Sequence, residues 1–126
     1  MKAVGRTLWA VPGGRIPLQS TGHEPEFTSH DLLCLLNTGD RDARIEIMIF
    51  YEDRDPIGPY PLKVPARRTR HVRFNDLIDP EAMPLDTNYG SVIESDVPVV
   101  VQFTRLDSSR KENAGMSTMA FPVDES

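Results

Sequence analysis

Proline and glycine recur along the whole chain, and they are the strongest constraint on its fold. Eleven prolines and eight glycines are spread through 126 residues. Proline removes a backbone donor and glycine permits tight turns, so both residues are typical of the turns between short extended segments and disfavour long helices. The spacing therefore predicts a series of short β-strands joined by turns.

Two segments carry the alternating pattern of a half-buried strand. In residues 43–52 the apolar side chains of Ile45, Ile47 and Ile49 share one face. Residues 97–104 repeat the pattern with valines and a phenylalanine. Weaker strands are predicted at residues 5–11, 89–95 and 117–123.

The turn sequence NTGDRDA joins the apolar segment LLCLL to the first of these strands. Because Gly39 tolerates a positive φ, residues 31–37 and 43–52 are predicted to form a hairpin. Closely spaced strands with turns between them favour an all-β fold, an antiparallel β-sandwich or jelly roll. We predict one such domain at residues 1–122 and a short, polar, disordered tail at residues 123–126.

The overall charge excludes some classes of protein. A formal net charge of −5 and a pI of about 5.1 argue against a protein that mainly coats nucleic acid or an anionic membrane. Cys34 is the only cysteine, so no internal disulfide can form, and its place in LLCLL predicts a buried, small apolar side chain. The apolar runs are far shorter than the ~18 residues of a membrane span. We expect a soluble, cytoplasmic protein without membrane insertion.

One stretch of this acidic chain, VPARRTRHVRFNDL, is strongly basic. If it forms a strand, the face that carries Val72 and Phe74 into the core also carries Arg68 and Arg70 at the mouth of the sandwich. The cationic residues of the stretch are Arg67, Arg68, Arg70, His71 and Arg73. They could pair with acids on a neighbouring strand or subunit, form a partner or ligand surface, or bind nucleic acid. The absence of interleaved aromatic residues weakens the last alternative.

No motif in the sequence predicts catalysis or metal binding. The segment GHEPEFTSHD contains the possible metal ligands His23, Glu24, Glu26, His30 and Asp31, but it lacks the spacing of a known metal site, and a solvated loop explains it better. The chain also lacks a Gly-x-Ser-x-Gly elbow, a phosphate loop and a dinucleotide fingerprint. We therefore expect no enzyme activity, no metal and no cofactor. Trp9 is expected in the core.

Stretches spread over nearly the whole chain resemble the sensory rhodopsin transducer family. They run from residue 5 to residue 121 without an obvious gap: GRTLWAVPGGRIP, PEFTSHD, LNTGD, PIGPYPLKVPARRTRHVRFNDL, SVIESDVPVVVQFTRLDSS and ENAGMSTMAF. Similarity of this extent is more specific than any single short motif.

The resemblance implies a homotetramer of jelly-roll β-sandwiches that meets a retinal-binding, seven-helix membrane photoreceptor at its cytoplasmic face. Members of the family have also been linked to DNA binding and to the regulation of transcription. For relatives in bacteria that have no rhodopsin, binding of a small molecule such as a sugar has been suggested. The leading interpretation is a non-enzymatic signalling adaptor similar to a sensory rhodopsin transducer. A module that binds a small molecule such as a carbohydrate is the alternative, and a DNA-binding regulator is the third interpretation.

A shared binding surface would centre on the basic stretch and the turn after it. The predicted partner- or ligand-binding residues are Arg67, Arg68, Arg70, His71, Arg73, Asn75 and Asp76. The loop with His23, Glu24 and His30 is the second candidate. The family carries no catalytic residue, so none is predicted here.

Overall fold

The fold is described from a computed structural model, which describes residues 2–18, 29–107 and 114–124. Its strands are β1 (Arg6–Gly14), β2 (His30–Asn37), β3 (Ala43–Tyr51), β4 (Ile57–Val64), β5 (Arg68–Arg73), β6 (Tyr89–Asp107), β7 (Ala114–Met119) and β8 (Phe121–Pro122). Every pairing between them is antiparallel, which confirms the prediction of an all-β, antiparallel fold. The described residues contain no helix of the length and apolarity needed to cross a membrane.

Strand β6, with 19 residues, organises the sheet because it has neighbours on both sides. Its first half lies between β1 and β3, and its second half lies between β2 and β7. The first sheet therefore has the order β4-β3-β6-β1-β8 and the second has the order β5-β2-β6-β7. Both sheets share β6.

The two strands predicted at residues 89–95 and 97–104 are thus one continuous strand. Pro98 lies where β6 passes from one sheet to the other, and residues 96–98 have no pairing partner among the described strands. A proline is tolerated there because its missing N–H interrupts no ladder of hydrogen bonds.

A continuous apolar core contains side chains from both sheets. In β3, Ile45, Ile47 and Ile49 are at most 1% exposed, as the alternating pattern predicts. Leu33 and Leu35 of β2 belong to the same buried cluster, so the inner faces of the two sheets are packed into one core.

The predicted hairpin of residues 31–37 and 43–52 is wrong. Strand β2 pairs with β5 and β6, whereas β3 pairs with β4 and β6, so the turn carries the chain from one sheet to the other. The buried Asn37 side chain supports this turn, because its Nδ2 donates to Arg41 O at 2.8 Å and to Val64 O at 3.1 Å. Turn residues favour a reversal of the chain and do not specify whether its strands pair.

The predicted burial of Cys34 is also wrong. Because Leu33 and Leu35 face the core, the alternation of β2 turns Cys34 to the outer face, where it is only half-buried. It lies opposite His71 of β5. The pKa of the Cys34 thiol is raised, chiefly by desolvation, and this disfavours the nucleophilic thiolate.

Candidate functional site

The predicted basic residues lie on and beside β5. We call Arg67, Arg68, Arg70, His71 and Arg73 the basic row. Among the described strands β5 pairs only with β2, so it forms one edge of the second sheet. Strand β5 spans Arg68–Arg73, and Phe74, which follows it, is 1% exposed. The sequence therefore predicted both the strand and the buried position of the phenylalanine that follows it.

A supported turn positions the start of the basic row. Arg67 has a φ of +57°, a left-handed conformation that costs a residue other than glycine about 1–2 kcal/mol. Its backbone N–H donates to Gly39 O at 3.1 Å, and the N–H of Ala66 donates to Asp42 Oδ1 at 2.9 Å. These hydrogen bonds attach the start of β5 to the turn after β2.

The register of β2 and β5 places no acid opposite the first half of β5. In the register of β2 and β5, Arg68 lies opposite Asn37 and Arg70 lies opposite Leu35. Within the described residues, Arg67, Arg68 and Arg70 form no ion pair. Pairing with acids on the adjacent strand of the same chain therefore does not explain these three arginines.

Two of these arginines bind backbone carbonyl groups instead. Arg68 Nη1 donates to Arg67 O at 3.0 Å, and Arg70 Nη1 donates to Lys63 O of β4 at 2.8 Å. These neutral acceptors orient the guanidinium groups, but no acid among the described residues compensates their charge. A cavity of about 340 Å³ lies beside Arg70 and Val72, between β5 and β4.

The other predicted site residues are only partly brought to this surface. Asp76 is exposed and lines the same cavity as Arg70 and His71. Asn75 is half-buried and belongs to a 3-10 turn, Phe74–Asp76, that follows β5. Its Nδ2 donates to Ser29 O at 3.1 Å, which ties this turn to the residue before β2. His30 is 9% exposed and lies outside the basic row. His23 and Glu24 lie outside the described residues.

A second candidate site, which the sequence did not predict, is a cavity of about 670 Å³ at one end of the sandwich. We call it the mouth cavity. Its wall includes the aromatic residues Phe50 and Tyr51 and the polar residues Glu52, Asn88 and Arg105. Arg15 also lines it, and Arg15 Nη1 donates to Asn88 Oδ1 at 3.2 Å.

A buried carboxylate holds one wall of the mouth cavity. Asp31 has no exposed surface, and its Oδ2 accepts from Tyr89 Oη at 2.6 Å and from the Arg15 backbone N–H at 2.9 Å. Its Oδ1 accepts from Arg105 Nε at 3.1 Å. Asp31 thus fixes the orientation of the Arg105 guanidinium group, which is the preorganisation that a binding cavity requires.

Burial and the Asp31 carboxylate raise the pKa of Tyr89 far above its usual value, so its hydroxyl remains a donor. The Tyr89 ring packs closely against the backbone of Gly14, where a Cβ atom would lie 2.3 Å from Tyr89 Cζ. The sequence signals for this site are the Gly-Gly pair of β1 and an aspartate beside an apolar strand. The sequence also offers Asp31 as a possible metal ligand, but both of its oxygens accept hydrogen bonds from the protein.

Comparisons with known proteins agree over nearly the whole chain. Residues 4–122 match the family model described as Anabaena sensory rhodopsin transducer. The solved structure of the Anabaena sensory rhodopsin transducer is 56% identical, with a TM-score of 0.75, and the match covers 82% of this chain and 99% of that chain. A crystal structure of a Thermotoga maritima protein is 32% identical, with a TM-score of 0.82, over 97% of this chain and 98% of that chain. The search of curated proteins found no match.

Proposed function

Because this chain belongs to the Anabaena sensory rhodopsin transducer family, we propose that it is a non-enzymatic signalling adaptor that relays the state of a partner protein. The proposed partner is a seven-helix retinal protein, or another receptor, that presents acidic groups at the cytoplasmic membrane face. The adaptor itself would be cytoplasmic and would not enter the membrane.

The observation that carries this proposal is the uncompensated charge of three arginines at the start of the basic row. Arg67, Arg68 and Arg70 are exposed and form no ion pair within the described residues, although the whole chain has a net charge of −5. Acidic groups of a partner would supply the missing counter-charges. Such complementarity sets the register and the association rate of a complex more than its affinity.

The test is affinity capture from the detergent-solubilised membrane fraction of the native host. We expect the wild-type protein to recover a retinal-binding membrane protein, and the double variant Arg68→Glu/Arg70→Glu to lose it. A matched control is Arg6→Glu/Arg44→Glu, which makes the same change in net charge on exposed residues of the first sheet.

Thermal unfolding of all three proteins accompanies the capture. A double variant that fails to fold or assemble would indicate that the arginines are structural. Capture that is equal in the wild type and the double variant would remove the basic row from the contact. Failure of the wild type to recover a membrane protein would count against the adaptor function itself.

We also propose that the adaptor acts as a homo-oligomer, a tetramer by resemblance to the family. Exposed apolar side chains support association: Leu36 and Met119 are 41% and 50% exposed in the second sheet, and Phe50 and Phe121 are 43% and 66% exposed in the first. Light scattering coupled to size-exclusion chromatography measures the mass of the assembly. A monomer at all concentrations would contradict this part of the proposal.

The mouth cavity favours one further candidate function, the binding of a small molecule such as a carbohydrate. Its volume of about 670 Å³ lies within the ~300–1,000 Å³ range of ligand sites, and its wall combines aromatic with convergent polar groups. A metabolite panel that includes sugars should contain a compound that raises the melting temperature with increasing concentration. Asn88→Ala, at an exposed position of the wall, should weaken that response. No shift with any compound would count against this candidate.

A further inference from the structure

Two edge strands, β4 and β5, lie on the same side of the molecule and belong to different sheets. Among the described strands β4 pairs only with β3, and β5 pairs only with β2. The cavity of about 340 Å³ lies between them, and Arg70 crosses the gap to bind Lys63 O. Each edge therefore presents backbone groups to which another strand could bind.

The edge of β4 is protected against strand addition. It contains Pro59 and Pro61, and neither residue has a backbone N–H. Prolines within a sheet occur on edge strands with the nitrogen directed away from the neighbouring strand. A strand added to β4 would therefore find no backbone N–H donor at these two alternate positions of β4.

The edge of β5 is protected in a different and more selective way. Its sequence, RTRHVR, contains no proline, so every residue keeps its N–H. Antiparallel pairing of β5 with a second copy of itself would bring arginines together across the strands, and like charges placed opposite each other are destabilising. The edge thus excludes a copy of β5 but remains open to a strand of opposite charge.

We propose that β5 binds an acidic, extended segment of the partner as an additional antiparallel strand. This inference rests on the proposed adaptor function and adds the mode of contact. The carboxylates would take the cross-strand positions opposite Arg68 and Arg70, where β2 presents only Asn37 and Leu35. Backbone hydrogen bonds to β5 give the affinity, and the acidic side chains give the selectivity.

The alternation of β5 also specifies the order of residues in the bound segment. Arg68, Arg70 and Val72 share one face of the strand. An antiparallel segment on the free edge would therefore have the pattern Val-x-Glu-x-Glu. Its aliphatic residue would lie opposite Val72, beside the cavity that Leu62 and Leu77 also line.

The probe is the capped peptide Thr-Val-Thr-Glu-Thr-Glu-Thr, and the control is a peptide of the same composition with the two glutamates and the valine placed consecutively. Binding to the full-length protein is measured by NMR at low ionic strength, together with amide hydrogen exchange. We expect the probe, and not the control, to slow exchange at amides of residues 68–73. Arg68→Glu/Arg70→Glu should weaken binding about 5- to 20-fold, because exposed charge pairs contribute modestly.

A second pair of probes separates strand pairing from simple charge attraction. One probe is N-methylated at its odd positions and the other at its even positions, so both keep the same charge. An added strand pairs with β5 through the amides of one edge only, so one N-methylated probe should lose binding and the other should keep it.

Equal binding of both N-methylated probes and of the control, without slowed exchange in β5, would overturn strand addition but leave charge recognition by the basic row intact. Absence of binding by the acidic probe at low ionic strength would overturn strand addition as well. Recovery of a membrane partner, measured separately, decides the adaptor function. Protection that appears at β7 or β8 instead of β5 would overturn the proposed location.

Discussion

Asp31 lies at the start of β2 with its side chain fully buried, and three donors converge on its carboxylate. These donors come from Tyr89, from Arg105 and from the backbone of Arg15, which are distant in sequence. A buried carboxylate is stable only when such hydrogen bonds replace its hydration. The Asp31 cluster therefore joins β2, both halves of β6 and the end of β1 in one polar network.

Tyr89→Phe tests this network. Loss of one hydrogen bond to the carboxylate should lower the free energy of unfolding by about 1.5–3 kcal/mol at neutral pH. The folded pKa of Tyr89 is raised above its unfolded value, first by burial and then by Asp31, so its contribution is fully present below about pH 10. As pH rises further, the unfolded chain loses this proton before the folded protein does, and stability falls.

Urea unfolding between pH 7 and pH 11 measures both effects. Tyr51 and Tyr60 also have raised pKa values because of burial, so the wild-type slope includes them. The Tyr89→Phe variant should lose less stability than the wild type over this range. Identical slopes would contradict the buried, protonated state of Tyr89.

Ser91 offers a contrasting residue. Its Oγ is buried and has no hydrogen-bond partner among the described residues, whereas Ser95 Oγ accepts from the Val97 N–H at 3.3 Å. Removing an unsatisfied hydroxyl relieves a desolvation cost, so Ser91→Ala should be neutral or stabilising by up to about 1 kcal/mol. Ser95→Ala should instead destabilise by about 1 kcal/mol. Chemical unfolding of the two variants makes the comparison, and an equal loss in both would contradict it.

At the level of elements, β6 connects the two sheets by passing through both. Its buried side chains occupy alternate positions throughout, from Tyr89 to Phe103, although its pairing partners change midway. Trp9 of β1 stabilises β6 near the residues where its pairing partners change, because Trp9 Nε1 donates to Val99 O at 3.0 Å. Trp9 is 5% exposed, which confirms the prediction that it belongs to the core.

Gly5→Ala should disrupt this crossing. Gly5 has a φ of +109°, and an added Cβ would lie 2.0 Å from Val99 O. Backbone strain and steric overlap should together lower stability by about 2–4 kcal/mol. Gly13→Ala is the control, because no atom lies within 4 Å of the position that its added Cβ would take, and the change should stay within about 0.5 kcal/mol. Thermal unfolding distinguishes them, and equal melting temperatures would contradict the prediction.

At the scale of the whole molecule, charge is unevenly distributed. The chain carries 19 acidic and 14 basic residues, yet four of those 14 are grouped in the basic row, together with a histidine. Long-range attraction to polyanions should be weak, while local attraction to an acidic group remains strong at short range.

Binding to duplex DNA tests this distribution. The four arginines of the basic row can neutralise few phosphates, so the slope of log affinity against log salt should not exceed about 4 in magnitude. Fluorescence anisotropy with a short duplex over a salt series measures the slope. A steeper slope, or tight binding at physiological salt, would favour the DNA-binding interpretation instead.

The strands were largely predictable from sequence because their signal is local. Ile45, Ile47 and Ile49 alternate with polar residues, and this pattern alone predicts a strand with one buried face. The basic stretch was also predicted to form a strand that ends at an inward-facing Phe74, and the structure agrees, because the alternation that indicates this is local. The resemblance to the transducer family was also visible in the sequence, because it rests on short stretches of residues spread along the chain.

Strand partners were decided only by the tertiary structure. The sequence of the turn after β2 is compatible both with a hairpin and with a crossing between sheets. The hydrogen bond from the buried Asn37 Nδ2 to Val64 O, which supports the crossing, is seen only in the folded chain. The mouth cavity depends on contacts of Asp31 with Tyr89 and Arg105, which lie 58 and 74 residues away from it in sequence. Alternation determines which face of a strand is buried, whereas long-range packing selects which strands meet and which polar groups converge.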